Sequence, residues 1–405
     1  MSLNSVEISA RWIDEEVVEI ETQYGISGVP AWPIVMERGS RAHLWSTSGR
    51  RYFDFTSAFS TLNQGHCHPK IFKAGMDQCQ KLMLPGRSTH TEQYSRLCKK
   101  MCNLLELDVA VPTNSGSEAI DMAVKIARKW SYEKKGVPAD QALILTATLN
   151  YHGRMLISLS STQNSYIGEN MGPFVPGIGP EVAGEPVVFG DCESLECTFK
   201  SHGDRIAPFM IERIQGNAVC IKYNVPWIAD EIQCGMGRTG HLLAYQCENV
   251  KPDIVALGKS LVGGAYSIGM VVGKAEAMRC YKFGQHGSTF AGNPVAAAAA
   301  LAAVGELGPR IEARLRSIKS PHFRKIEGRG MLHTLFIHES TDGRVTGPRL
   351  AKLLVKRGFL TSAYGPKIRI APPLITSEED LWPALDEVEK ALSDLPNIVD
   401  EPILP

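Results

Sequence analysis

Short apolar runs bounded by turn residues alternate with stretches of helical period through the middle of the chain, the pattern of a mostly parallel sheet covered by helices. ALILTAT (142–148), APFMIERI (207–214), VPWIADEI (225–232), DIVALG (253–258) and IGMVVG (268–273) read as strands. EAIDMAVKIARKWSYEKK (118–135) reads as an amphipathic helix. Ile120, Ala123, Val124, Ile126 and Ala127 supply its apolar positions, and its basic tail suits the negative end of a helix. PVAAAAALAAVGEL (294–307) is a second helix, opened by Pro294 and so rich in Ala that it must pack closely on a neighbour. Beyond about residue 310 the pattern changes: MLHTLFIHE reads as a strand, GPRLAKLLVKRG as a helix and TSEEDLWPALDEVEKALSDL as a final helix. Near the start, VMERGSRAHLWSTSGRRYFDF reads as a strand hairpin.

A chain of 405 residues exceeds what one core serves, since single cores stop growing near ~250–300 residues. The expected division is a large domain over residues 56–309 and a smaller α+β domain over 310–405, joined by the N-terminal segment 1–55. Composition narrows the partner. With 43 basic and 43 acidic residues there is no net field to attract nucleic acid or anionic lipid, so a small molecule is expected. No apolar run approaches the ~20 residues that span a bilayer. MSLNSVEISARWIDEE carries acids early and has neither an apolar signal region nor an Arg/Ser-rich transit pattern, which makes the cytoplasm the expected compartment. The ten cysteines form no CxxC pair, and Cys67 between His66 and His68 is too sparse a cluster for zinc. We expect free, buried thiols and no metal.

Three segments carry candidate chemistry. NSGSEA (114–119) follows the apolar run DVAVPT and opens the long helix, so Gly116 and Ser117 would present N–H groups at a positive helix end, where one phosphate fits. Ser and Gly before a helix are also ordinary capping residues. IADEIQCG places Asp230 at the expected carboxyl end of a buried strand, where open α/β sheets hold ligands. A carboxylate there needs a cationic partner, and a protonated heteroaromatic nitrogen would serve, with Gln233 reaching a neighbouring phenolate oxygen. An isolated Asp would instead cap the next turn. ALGKSLVGG ends another apolar strand in Lys259, and a lysine in an apolar, electropositive pocket has a lowered pKa and forms Schiff bases. Asp230 and Lys259 together are far more specific than either alone: they describe an aldehyde cofactor with its ring nitrogen on the acid and its carbonyl carbon on the lysine. LNYHGRM adds Tyr151 and His152 as flat faces and Arg154 as a carboxylate fork, and HGSTFAGNP adds the hydroxyls of Ser288 and Thr289. Each has a bland alternative, Tyr151 as core, Arg154 as surface and Thr289 as a turn residue.

At this point the sequence resembles the class III aminotransferases, and most of all their ornithine-using branch. The resemblance runs from about residue 24 to 390 through ERG…YFDF, NQGHCHPKI, NSGSEA, ARKW, FVPG, IADEIQCGMGRTG, ENVKPDIVALGK, HGSTFAGNP and IRIAPPL. It implies the fold type I architecture of pyridoxal 5′-phosphate (PLP) enzymes. It also implies Lys259 as the Schiff-base lysine, Asp230 on the pyridine nitrogen, Gln233 near the phenolic oxygen, Tyr151 over the ring, and Gly116 and Ser117 on the phosphate. His152 and Ser288 complete the expected cofactor set. Thr289 would reach the phosphate of the partner subunit, which makes a homodimer with shared sites. Phe59, Arg154, Glu212, Asn217 and Arg369 form the implied substrate set, with Arg154 and Arg369 binding the carboxylates of an amino acid and a keto acid.

Four departures bear on the substrate. The block IEPIQGE reads IERIQGN here, so the acid that would mask Arg369 while a diamine is bound is replaced by Asn217. Phe59 and Val29 stand where the ornithine-using branch has tyrosines. Only about eleven residues separate QG from IADEI, so a whole covering helix is expected to be missing. Transamination with altered substrate choice is the leading expectation. Another PLP reaction, such as racemisation, decarboxylation, elimination or carbon–carbon bond formation, is the second, and a non-catalytic dimeric binding protein is the third.

Overall fold

The strands expected between residues 142 and 273 join one seven-stranded sheet in the computed structural model, which describes residues 13–26, 31–162, 166–182, 184, 186–212, 217–248, 250–304 and 311–398. The first ten strands in chain order are β1 (Met36–Ser40), β2 (His43–Ser46), β3 (Arg51–Asp54), β4 (Val109–Thr113), β5 (Leu143–Thr146), β6 (Ile178–Gly179), β7 (Ile206–Ile211), β8 (Trp227–Asp230), β9 (Ile254–Leu257) and β10 (Gly269–Gly273). β11 (Phe323–Arg329), β12 (Leu332–Ile337), β13 (Phe359–Leu360), β14 (Ala363–Tyr364) and β15 (Lys367–Ile370) follow. The large sheet runs β4-β10-β9-β8-β7-β5-β6, with β10 antiparallel to both neighbours and the other pairs parallel. Every residue of β5, β7, β8 and β9 is buried, which is why these segments read as unbroken apolar runs rather than alternating ones.

The long helix spans Gly116–Trp130 and continues as a π-helical turn over Ser131–Lys135. Its five expected apolar positions are all buried, packed with Ile144, Ile228, Ala256 and Val271 of the sheet. The Ala-rich helix, Pro294–Ala303, lies against helices Pro69–Cys79 and Glu92–Leu105, whose close approach its small side chains allow. A separate core gathers Phe53 and Phe55 with the C-terminal helices Gly347–Lys356 and Glu378–Asp394 and the antiparallel sheet β11-β12-β15-β14. β13 pairs parallel with β3, so the N-terminal strands share a sheet with the C-terminal part of the chain. The proposed division into 1–55, 56–309 and 310–405 has its second boundary among residues 305–310, outside the described residues.

Two expectations need correction. A covering helix is present between β7 and β8, shortened to Asn217–Lys222. The link from residue 212 to residue 226 still meets the ~12 residues that a crossover between parallel strands requires, and its Cys220 and Val225 are buried in the main core. All ten cysteines are free, but only Cys220, Cys234 and Cys280 are buried as expected; Cys79, Cys98, Cys102 and Cys247 are half-buried and Cys67, Cys192 and Cys197 are exposed. Among the described residues no helix is long and apolar enough to cross a membrane.

Candidate active site

The parallel register brings the candidate residues to one edge of the sheet. Asp230 ends β8 opposite Ala256 of β9, and Lys259 lies two residues past the end of β9, so both stand at the carboxyl ends of adjacent strands. Glu212 leaves the end of β7, where Ile211 pairs with Ala229. NSGSEA leaves the end of β4, and Tyr151, His152 and Arg154 lie in the loop after β5.

The two readings of NSGSEA are compatible. Ser115 caps the long helix, its Oγ accepting from the Glu118 N–H at 3.2 Å, while Gly116 and Ser117 form the first turn, with the positive helix end beyond them. A Cβ on Gly258 would lie 3.0 Å from Cα of Gly116, so the absence of side chains lets the helix start touch the backbone just before Lys259. Gly153, at φ 124°, brings the loop after β5 down on Ser117, where a Cβ would meet Oγ at 2.7 Å. Glu118 and Asn114 were not singled out from sequence. Glu118 accepts from the Asn114 N–H at 2.9 Å, and Asn114 donates to Ser288 Oγ at 2.5 Å, which ties the Ser288 turn to the helix start. Thr289 lines a small cleft together with Leu84–Arg87 and Thr91.

His152, expected as a flat face in the cofactor set, has a fully buried side chain, and its Nδ1 lies 2.7 Å from Oδ2 of Asp230. Burial opposes its ionisation, but the hydrogen bond and charge of Asp230, with Glu212 beyond, hold its pKa above the usual histidine value. The pair explains how a carboxylate can stay ordered at a buried strand end. Tyr151 is 40% exposed and offers a face. The Oε2 of Glu212 accepts from the Tyr151 N–H at 2.9 Å, which props the loop after β5, and burial pushes its pKa up. Arg154 is exposed on the same loop.

Lys259 is half-buried with its backbone in the left-handed region at φ 42°. Burial lowers its pKa, while Asp230 and Glu212 pull it back up. Gln233 lies between the Phe59 turn and β15. It donates to the Phe59 carbonyl at 3.4 Å and accepts from Arg369 Nη1 at 3.4 Å, bridging two of the expected substrate residues. Phe59 sits in a turn, Ser57–Ser60, whose four residues all have φ between 46° and 68°. Asp54 holds that turn, its Oδ1 accepting from the N–H groups of Thr56 at 2.8 Å and Ser57 at 3.0 Å. Val29 lies outside the described residues, as does the side chain of Asn217.

Beside Asp230, the buried carboxyl of Glu231 accepts from the N–H groups of Ala244 and Tyr245, each at 2.9 Å, yet burial pushes its pKa up to about 7 from 4.5. The folded value exceeds the unfolded one, so this acid favours folding most below pH 4.5 and that contribution is lost as pH rises through about 7. Thermal denaturation at pH 5 and pH 8 should show Glu231→Gln with a smaller drop in midpoint than the native protein. Equal drops would place the titration elsewhere.

The class III aminotransferase profile matches residues 25–392. An ornithine aminotransferase of Schizosaccharomyces pombe is 35% identical over 95% of this chain and 94% of its own length. A mitochondrial ornithine aminotransferase of Arabidopsis thaliana is 34% identical over 95% of this chain and 86% of its own. Among solved structures, the ornithine aminotransferase of Toxoplasma gondii with partial occupancy of PLP superposes with a TM-score of 0.87 at 32% identity, covering 95% of this chain and 96% of that one. A Vibrio fluvialis aminotransferase in its PMP-bound form gives 0.82 at 25% identity, over 94% and 98% of the two chains. Class III aminotransferases use PLP, and this edge of the sheet fits it: a buried acid for a ring nitrogen, a helix start for a phosphate, and an orphaned buried hydroxyl, Ser158 Oγ, beside Gly153. The chain therefore belongs to the class III aminotransferases, a PLP-dependent transaminase with the fold type I architecture.

Proposed function

We propose that the protein transfers an amino group from an amino acid to a keto acid such as 2-oxoglutarate, with a substrate preference shifted away from ornithine. The convergence of Lys259, the His152–Asp230 pair and the Gly116–Ser117 helix start on one sheet edge carries this reading. When bound, PLP supplies an aldehyde that joins the substrate nitrogen and a pyridine ring that takes up the electron pair left when the Cα–H bond breaks. Asp230, oriented by His152, would hold a proton at the ring nitrogen, and the helix start with Ser117 would hold the phosphate. Lys259, whose pKa burial lowers, would carry the aldehyde at rest and serve as the base that moves the proton from the substrate carbon. Tyr151 would cover the ring. The non-catalytic alternative rested on the absent covering helix, and Asn217–Lys222 removes that support.

For the substrate, Arg154 and Arg369 are the carboxylate ligands. Gln233 presents Arg369 beside the Phe59 carbonyl, and position 217 brings an amide where the ornithine-using branch has an acid. A diamine must bring its distal ammonium toward Arg369 with no carboxylate at 217 to favour it, whereas a dicarboxylate or apolar-tailed amino acid meets a guanidinium or the ring of Phe59. We also assign a homodimer in which Thr289 reaches the partner's phosphate. The exposed Phe283 and Phe290, on either side of Thr289 in sequence, favour such an interface. Relative kcat/KM for ornithine, glutamate and a panel of amines, with glutamate or keto acid measured as product, tests the reading. Ornithine should be a poor donor, and Asn217→Glu should raise its kcat/KM relative to glutamate about tenfold, the equivalent of ~1.4 kcal/mol. Strong ornithine δ-transamination by the native protein would show that residue 217 does not set the choice. The same preparations should elute at the mass of a dimer.

A further inference from the structure

Behind Arg369 lies a second guanidinium that takes no part in the chemistry described so far. Arg238 is wholly buried on the loop that carries Gln233. Its Nε donates to Asn63 Oδ1 at 3.1 Å and its Nη1 to the Met331 carbonyl at 3.1 Å; Nη2 also reaches Asn63 Oδ1, and Nη1 also reaches the Pro372 carbonyl. Asn63 locks back on the same loop through the Met236 carbonyl at 2.9 Å, and its own carbonyl accepts from the Leu374 N–H at 2.7 Å. Burial, the largest influence on its pKa, pushes Arg238 down to about 9, with Asp54 raising it and Arg369 lowering it, so it stays charged at neutral pH.

These contacts have a direction. β15 carries Arg369, and the strand leaves it through Ala371, Pro372 and Leu374. Ala371 is held by the Phe55 carbonyl and by Ser57 Oγ, each at 2.7 Å, Pro372 by Arg238, and Leu374 by Asn63. On the pocket side, Gln233 bridges Arg369 and Phe59. The loop bearing Gln233 and the strand bearing Arg369 are thus joined twice, once by the weak 3.4 Å amide contact facing the substrate and once by the buried guanidinium behind it. A guanidinium suits that place because its planar fork serves several acceptors in fixed directions, which an ammonium on a flexible stem cannot do.

We propose that Arg238 is a positioning residue for carboxylate recognition, setting the place of Arg369 relative to Gln233 and Phe59. The inference rests on Arg369 as a substrate-carboxylate ligand. A plain fold staple would affect all substrates alike, whereas a positioning residue acts on ligands that reach Arg369. Arg238→Lys keeps the charge and loses the fork, and Arg238→Met loses both.

The test is carried out on the PLP-loaded protein. Calorimetric titration with glutarate, a non-reacting dicarboxylate, measures the clamp without turnover, and KM for 2-oxoglutarate is set against the half-reaction rate with a primary amine that has no carboxylate. Both variants should bind glutarate roughly tenfold more weakly or worse and raise KM for 2-oxoglutarate similarly, while the amine half-reaction changes less than about threefold. If neither variant folds, Asn63→Leu, which removes the one side-chain acceptor of Arg238 named above, should show the same split in smaller measure. Unchanged glutarate binding, or equal loss for amine and dicarboxylate, would overturn the proposal. Failure of the native protein to bind glutarate at all would instead strike the reading of Arg369, which separates the two failures.

Discussion

Lys259→Ala should abolish turnover and leave borohydride unable to fix PLP on the protein. Two functions are lost together, the covalent attachment and the proton transfer at the substrate carbon, so the loss should exceed the ~10²–10⁴-fold that a positioned acid–base group supplies alone. The prediction is specific to this lysine. Among the described residues, burial also lowers the pKa of Lys135, to about 8, but its Nζ donates to the Ile206 carbonyl at 2.8 Å at the amino end of β7, the opposite edge of the sheet from Asp230. Mass spectrometry of the reduced protein should find PLP on the peptide containing Lys259 in the native chain and nowhere in the variant. Labelling of Lys259→Ala at native stoichiometry would remove Lys259 from the mechanism.

Asp230→Ala should slow the carbanion-forming step by roughly 10²–10³, the usual cost of losing one preorganised electrostatic contact in a dry site, while weakening PLP retention much less. The separation follows from the geometry. On the proposed assignment Asp230 serves the ring end, whereas the helix start at Gly116 and Ser117 follows a different strand and loses nothing. The substitution also deprives His152 of its 2.7 Å partner, so a buried imidazole whose proton that acid holds should become neutral. Rapid-mixing measurement of the glutamate half-reaction, alongside dialysis to follow cofactor loss, distinguishes rate from retention. A variant with near-normal rate would mean that another group holds the ring nitrogen.

The deletion after QG shows how sequence distance misleads. Eleven residues suggested a missing helix, yet six of them form one, because the crossover needs only enough chain to return along short strands. His152 shows the converse. The sequence offered it as a flat face beside Tyr151, and only the approach of the loop after β5 to β8 made it the partner of Asp230. Arg238 gave no local signal beyond a charged residue between glycines, MGRTG, since its acceptors come from Asn63, Met331 and Pro372, far apart in the chain.

What the sequence determined by itself is therefore whatever is written in local period and local chemistry. The buried strands follow from unbroken apolar runs, the long helix from its 3.6-residue stripe and Ser115 cap, and Lys259 and Asp230 from charged residues set at the ends of apolar segments. Only the tertiary structure decided which polar groups neutralise one another: His152 with Asp230, Glu212 with the Tyr151 backbone, Gln233 with Arg369 and Phe59, Arg238 with three distant segments. The physical reason is the short range of hydrogen bonds. A buried polar group must find a partner within about 3 Å, and which residue comes that close is settled by strand register and loop path, neither of which leaves a periodic trace along the chain.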